Sequence, residues 1–267
     1  MFLAGFRVPK IKKIPIKKRR LTFFSLGIAF IMGCACGFIR YESGPNYPQG
    51  FPIIERIGYT VCYDSRNKLP MWVYERLTQE ALAKKVDRVG FSFKEDHALP
   101  NMQRSNNHDY EHSGFDRGHM GAATHHSSSE EALKETFYLT NICPQHPSFN
   151  RGLWRQLERH ISDLLLQIRL IDVYTGPLFL PQILPDGNRY ILYRVIGQND
   201  VGVPTHFFKV LFIEFATGER ACEAYILPNQ ASNFSQNISD FRVSLEQIER
   251  CAGILLPVKQ LTTLLHE

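Results

Sequence analysis

The stretch Phe115-Asp116-Arg117-Gly118-His119-Met120 sets an imidazole beside a glycine and a charged pair. Histidine titrates near neutrality, so His119 can take a proton from water as a general base. Further along, Asn150 opens an apolar-periodic segment, Glu158 follows two turns later and Trp154 stands midway. On an ideal α-helix, positions 150 and 158 are separated by roughly 12 Å of rise and ~80° of rotation, so both can face one side. A carboxamide oxygen and a carboxylate so placed suit a hard, oxygen-seeking cation such as Mg²⁺, with Mn²⁺ or another divalent cation as a substitute. Each residue also has a plainer role: surface imidazole, helix cap, solvated charge. His108, His112, His119, His125 and His126 cluster closely enough to raise zinc as a second metal, ranked behind Mg²⁺ because the Asn and Gly residues around them indicate loop.

Positioning these side chains requires a scaffold of strands and a few helices. Tyr59–Tyr63 and Met71–Leu77 read as a strand pair around a turn at 64–70. Thr78–Lys85 reads as a short helix or turn, and Ser113–Met120 as loop and short strand. Glu130–Thr136 is helical in composition, with Ser127–Ser129 as caps. Phe137–Ile142 is apolar and β-branched enough for a strand. Apolar residues at 153, 157, 161, 164 and 165 give Leu153–Ile168 a buried helical face. Leu170–Thr175, Tyr190–Ile196, His206–Phe215 and Ala221–Ile226 read as strands, and Leu245–Cys251 as a last helix closed by Gly253. This is an α+β pattern, a mixed sheet with helices, without βαβ rhythm or a glycine-rich phosphate loop.

The net charge of +5 suggests a polyanion partner, but its distribution removes that argument. Nine of the 31 basic residues fall in residues 1–40, which hold no acid, leaving 22 basic residues against 26 acidic ones in the remainder. Any grip on nucleic acid must therefore come from local cations or a metal. Lys17, Lys18, Arg19 and Arg20 precede an uncharged run, Leu21–Ile39, close to the ~20 residues that span a bilayer. The division expected is a basic segment at 1–20, a transmembrane or signal anchor at 21–39, a linker at 40–51, a catalytic domain at 52–257 and a tail at 258–267. The anchor would place the domain on the extracytoplasmic side of a membrane. A cleaved signal peptide, a lipid-modified Cys34 and an organellar import signal are the alternatives. Cys62, Cys143, Cys222 and Cys251 lack CxxC spacing and are either free thiols or disulfide partners in a pairing that sequence leaves open.

Three motifs in order change the weight of the single residues. Asp116-Arg117-Gly118-His119, then Thr140-Asn141-Ile142-Cys143-Pro144-Gln145, then Asn150-Arg151-Gly152-Leu153-Trp154 running to Leu157-Glu158 resemble the DNA/RNA non-specific endonucleases, the ββα-metal (His-Me finger) group. The likeness extends upstream to Asp87-Arg88 and Phe93–Asp96, and downstream to Val203–Val210 and Ala224–Asn229. The resemblance implies Mg²⁺-dependent hydrolysis of DNA, and of RNA as a further substrate, with little sequence preference and 5′-phosphate products. It also implies His119 as the base, Asn150 as the direct metal ligand and Glu158 behind metal waters. Arg88 and Arg117 would serve the phosphate charge, with Asp116, Asn141 and Trp154 in support. A homodimer is compatible with it. The rival is a module of the same fold that binds nucleic acid without cutting it. Ser162 stands where the secreted bacterial members carry an arginine.

Overall fold

The computed structural model describes residues 39–40, 50–83, 86–231 and 236–257. All belong to the second of two units into which the chain divides, 33–267; the first, 1–32, lies outside them. The expected anchor is likewise outside the described residues, except Ile39. Ile39 and Arg40 pair with Ile54 and Ile53 as an edge strand, so the sheet begins where a span's end and a linker's start were expected. Among the described residues no helix is long and apolar enough to cross a membrane.

Seven strands form the main sheet. In spatial order they are Ile39–Arg40, Ile53–Glu55, Tyr59–Asp64, Leu69–Thr78, Leu170–Leu178, His206–Glu214 and Arg220–Pro228. Each pairing is antiparallel, which corrects the expected mixed sheet. Short turns join Tyr59–Asp64 to Leu69–Thr78 and His206–Glu214 to Arg220–Pro228, and such turns permit only antiparallel neighbours.

Period-two alternation sends Val73, Leu77, Ile171, Val173, Phe207 and Leu211 to one face, where Leu153, Trp154, Leu157, Ile161 and Leu165 cover them. The other face carries Phe208, Val210, Cys222, Ala224 and Ile226 beneath Ile248 of the Leu245–Ala252 helix. As expected, Gly253 closes that helix, in the left-handed region at φ 67°; Ser244 caps its start by accepting from the Gln247 amide. Ser129 caps the Glu130–Glu135 helix in the same way.

The chain between Leu69–Thr78 and Leu170–Leu178 is the excursion that builds the site. Within it Asp116–His119 pairs with Ile142–Gln145, and the helix Arg155–Leu165 follows. Leu157, Ile161 and Leu165 anchor that helix, and full burial of each contributes about 1.5–3 kcal/mol.

Three expected elements differ. Phe137–Ile142 is not a strand: Leu139–Asn141 is a 3₁₀ turn and the strand starts at Ile142. This run is buried almost continuously instead of alternating, and the Asn141 side chain supplies hydrogen bonds that a ladder would otherwise give. The helix expected over Leu153–Ile168 is shorter, Arg155–Leu165, and ahead of it Gly152 leaves helical geometry (φ −105°, ψ −107°), so Asn150 does not stand on the same regular helix. Tyr190–Ile196 holds the end of one short strand, Arg189–Tyr190, and the whole of another, Val195–Ile196, with Ile191, Leu192 and Tyr193 exposed between them. The four cysteines of the domain are free, three buried and Cys251 exposed, so the disulfide alternative falls.

Candidate active site

His119 ends its strand with the ring wedged between Phe93 (centroids 5.3 Å apart) and Phe137 (5.2 Å, edge-on). Its Nε2 is buried and has no hydrogen-bond partner. Burial, then the nearby Arg88 guanidinium, push the imidazole down to about 3, which keeps it neutral and able to accept a proton at neutral pH. Strand alternation puts Arg117 on the same face. Arg117 lies 5.6 Å from the Phe93 centroid and 5.3 Å from that of Tyr110, and donates to the Asn107 carbonyl at 2.8 Å. That bond makes Arg117 a support for the site wall. Arg88 is exposed, stands over Phe137 at 5.7 Å and acts electrostatically on both His119 and Glu158.

Asp116, on the opposite strand face, aims the carboxamide of Asn150. Its Oδ2 accepts from Asn150 Nδ2 at 3.0 Å and from Arg151 Nε at 2.9 Å, while its Oδ1 accepts from Arg151 at 2.8 Å. A carboxylate accepts only, so the NH₂ end of Asn150 must face it and Oδ1 is the free end. The kink at Gly152 resets the rotation between 150 and 158, so the side-by-side placement expected from one ideal helix does not apply. Asp116 orients Asn150 instead.

Trp154 ties the two halves together: its indole N–H donates to the His119 carbonyl at 3.1 Å. Asn141 is fully buried and bonds only main chain, accepting from the Gly121 amide (2.8 Å) and donating to the carbonyls of Gly121 and Thr136 (2.9 Å each). It fixes the loop leaving His119. The Glu158 carboxylate makes no hydrogen bond among the described residues. Burial pushes it up, against the pull of Lys209, His125 and Arg88.

The donor set fits one hydrated, oxygen-liganded cation: a carboxamide oxygen held outward and a desolvated carboxylate without a partner. It does not fit zinc. No three His, Cys, Asp or Glu side chains converge as a metal group among the described residues. His108 pairs with Glu111, and His125 and His126 are turned to Glu75.

Glu75, Thr175 and Lys209, fully buried under the site, were missing from the sequence candidates. Against the opposing effect of burial, the imidazoles of His126, bonded to it at 2.9 Å, and His125, 3.7 Å away, hold the Glu75 carboxyl below the usual range. A signal was available: Val73-x-Glu75-x-Leu77 and Phe207-x-Lys209-x-Leu211 each place a charge in phase with inward apolar residues.

A strand pair followed by a helix, with a neutral imidazole, an outward carboxamide and an exposed arginine, defines the ββα class of phosphodiester hydrolases. The DNA/RNA non-specific endonuclease model matches residues 40–261, and the chain belongs to that family; it is a nuclease. It is 43% identical over 200 residues to human mitochondrial endonuclease G (75% of this chain, 67% of that one). It is 42% identical over 212 residues to a nuclease of Syncephalastrum racemosum (76% and 66%). Against the mitochondrial nuclease EXOG of Xenopus laevis identity is 35% over 221 residues (80% and 62%). The chain thus spans about two thirds of the length of these relatives. A crystal structure of an EndoG/EndoGI complex superposes with a TM-score of 0.77 at 44% identity, covering 79% of this chain and 89% of that one.

Proposed function

We propose that the chain is a Mg²⁺-dependent endonuclease that hydrolyses phosphodiester bonds of DNA and RNA with little sequence preference, leaving 5′-phosphates. The observation that carries this reading is the unpartnered, neutral Nε2 of His119 on a strand bonded to the segment that presents Asn150 Oδ1. His119 takes the proton of the attacking water. Arg88 offsets the charge that grows on the phosphate oxygens. Asn150 directly, and Glu158 through water, would hold the metal. When bound, a divalent cation neutralises charge on the phosphate and its leaving oxygen. Contacts to phosphate carry no sequence information, which accords with little sequence preference.

The test is plasmid degradation by the full chain with Mg²⁺, with EDTA, and with His119→Ala. Loss of cutting in the last two is expected. Full activity of His119→Ala would refute the assigned base, and binding without cutting by the parent chain would support the inactive module.

Two of the relatives are named as mitochondrial. With a basic N-terminal segment free of acids, this favours the organellar alternative over an extracytoplasmic anchor. A full-length fluorescent fusion should collect in mitochondria; uptake into the secretory route would overturn that placement.

A further inference from the structure

Three neighbouring strands carry polar side chains inward beneath the site, and the amine among them is the costliest to bury. Lys209 has no exposed surface, and burial pushes its ammonium down while Glu75 and Glu158 oppose that. Lys209 acts on the Glu75 carboxylate through space, whereas the hydrogen bond to that carboxylate comes from His126 at 2.9 Å, with His125 beside it.

The contacts of Lys209 point elsewhere. In register, Lys209 faces Thr175 across the ladder, and its Nζ donates to Thr175 Oγ1 at 2.7 Å. Nζ also reaches the carbonyl of Met120, the residue after His119, at 3.4 Å. It lies 4.9 Å from the centroid of the Trp154 ring, whose N–H is bonded to the His119 carbonyl. One ammonium thus touches the main chain leaving the base and the indole that joins the base strand to the metal-side segment.

We propose that Lys209 is a positioning residue of the reaction, which clamps the Met120 carbonyl and the Trp154 ring from beneath and so sets where His119 stands relative to Asn150. This role rests on the nuclease activity proposed above. Lys209 meets no substrate, and Thr175 is the fixed post that holds its amine in place.

The test compares the full chain, Lys209→Met and Thr175→Val in Mg²⁺-dependent plasmid cleavage. Mn²⁺ binding to the nucleic-acid-free protein is measured by electron paramagnetic resonance, and folding by urea unfolding. Lys209→Met is expected to lower kcat about ten- to hundredfold, the scale set by small misplacements of reacting groups. KM for DNA should stay within about threefold and Mn²⁺ affinity should not fall, because Lys209 touches neither substrate nor Asn150 and its charge opposes a cation beside Glu158. Thr175→Val keeps the side-chain volume and loses the acceptor, so its kcat should fall between the two. A cooperatively folded Lys209→Met with parental kcat overturns the proposal, as does Mn²⁺ affinity falling in step with kcat. If Lys209→Met does not fold, parental kcat in Thr175→Val overturns it. An inert parent chain removes this role together with the nuclease reading, and is told apart by the parent's own rate.

Discussion

Asp116→Asn asks whether the metal ligand is aimed by one carboxylate. Asp116 Oδ2 now accepts a charge-assisted bond from Asn150 Nδ2 at 3.0 Å. A hydrogen bond to a charged group contributes about 1.5–3 kcal/mol and a neutral one about 0.5–1.5. The substituted amide can also turn its own NH₂ toward Asn150 and favour the flipped carboxamide, with Oδ1 pointing away from the metal position. A difference of about 1.4 kcal/mol is tenfold in an equilibrium. Half-saturating Mg²⁺ should therefore rise about tenfold, within the range known for groups that orient metal ligands. Initial nicking rates against Mg²⁺ concentration measure it, and kcat at saturating metal should stay near the parent value. Arg151→Ala is the control. Its pair with Asp116 has the arginine 71% exposed, so screening leaves little to lose and the metal dependence should hold within about twofold. An Asp116→Asn protein with the parent's Mg²⁺ dependence would refute the reasoning.

His119 titrates at about 3 when folded, against 6.5 for an ordinary imidazole. Between these values the unfolded chain holds the extra proton, so this group's contribution to stability is complete above the ordinary value and declines as pH falls through the window. The drop in urea midpoint from pH 7 to pH 5 should be smaller in His119→Ala than in the parent; equal drops would contradict the assignment. Gly118→Ala tests the strand pair, because an added Cβ would lie 2.0 Å from Oε1 of the buried Gln145. Overpacking of this kind costs about 1–3 kcal/mol, so the urea midpoint should fall and cleavage with it; a parental midpoint would show that Gln145 has room to move.

Much of the site was written in local sequence. His119, Asn150 and Glu158 offered chemistry by residue type, but the family resemblance gave them their roles, and Arg88 entered through that resemblance alone. The cap at Ser129 and the stop at Gly253 were legible because capping is decided within a few residues of chain. The α+β class followed from period-two runs broken by a helical period, a property of each segment alone. The break at Gly152 was not legible, since Phe149, Leu153, Leu157, Ile161 and Leu165 keep a helical apolar spacing across it.

Tertiary structure alone decided how these side chains are used. Asp116 aims Asn150, Trp154 grips the His119 carbonyl and Arg117 is tied to the Asn107 carbonyl, all through partners distant in sequence. Phe137–Ile142 became a turn and a strand start because Asn141 found main-chain partners in Gly121 and Thr136. Residue types fix which chemistry is available. Burial, register and the partner of each hydrogen bond fix charge state and direction, and these arise only when segments far apart in the chain exclude water from one another.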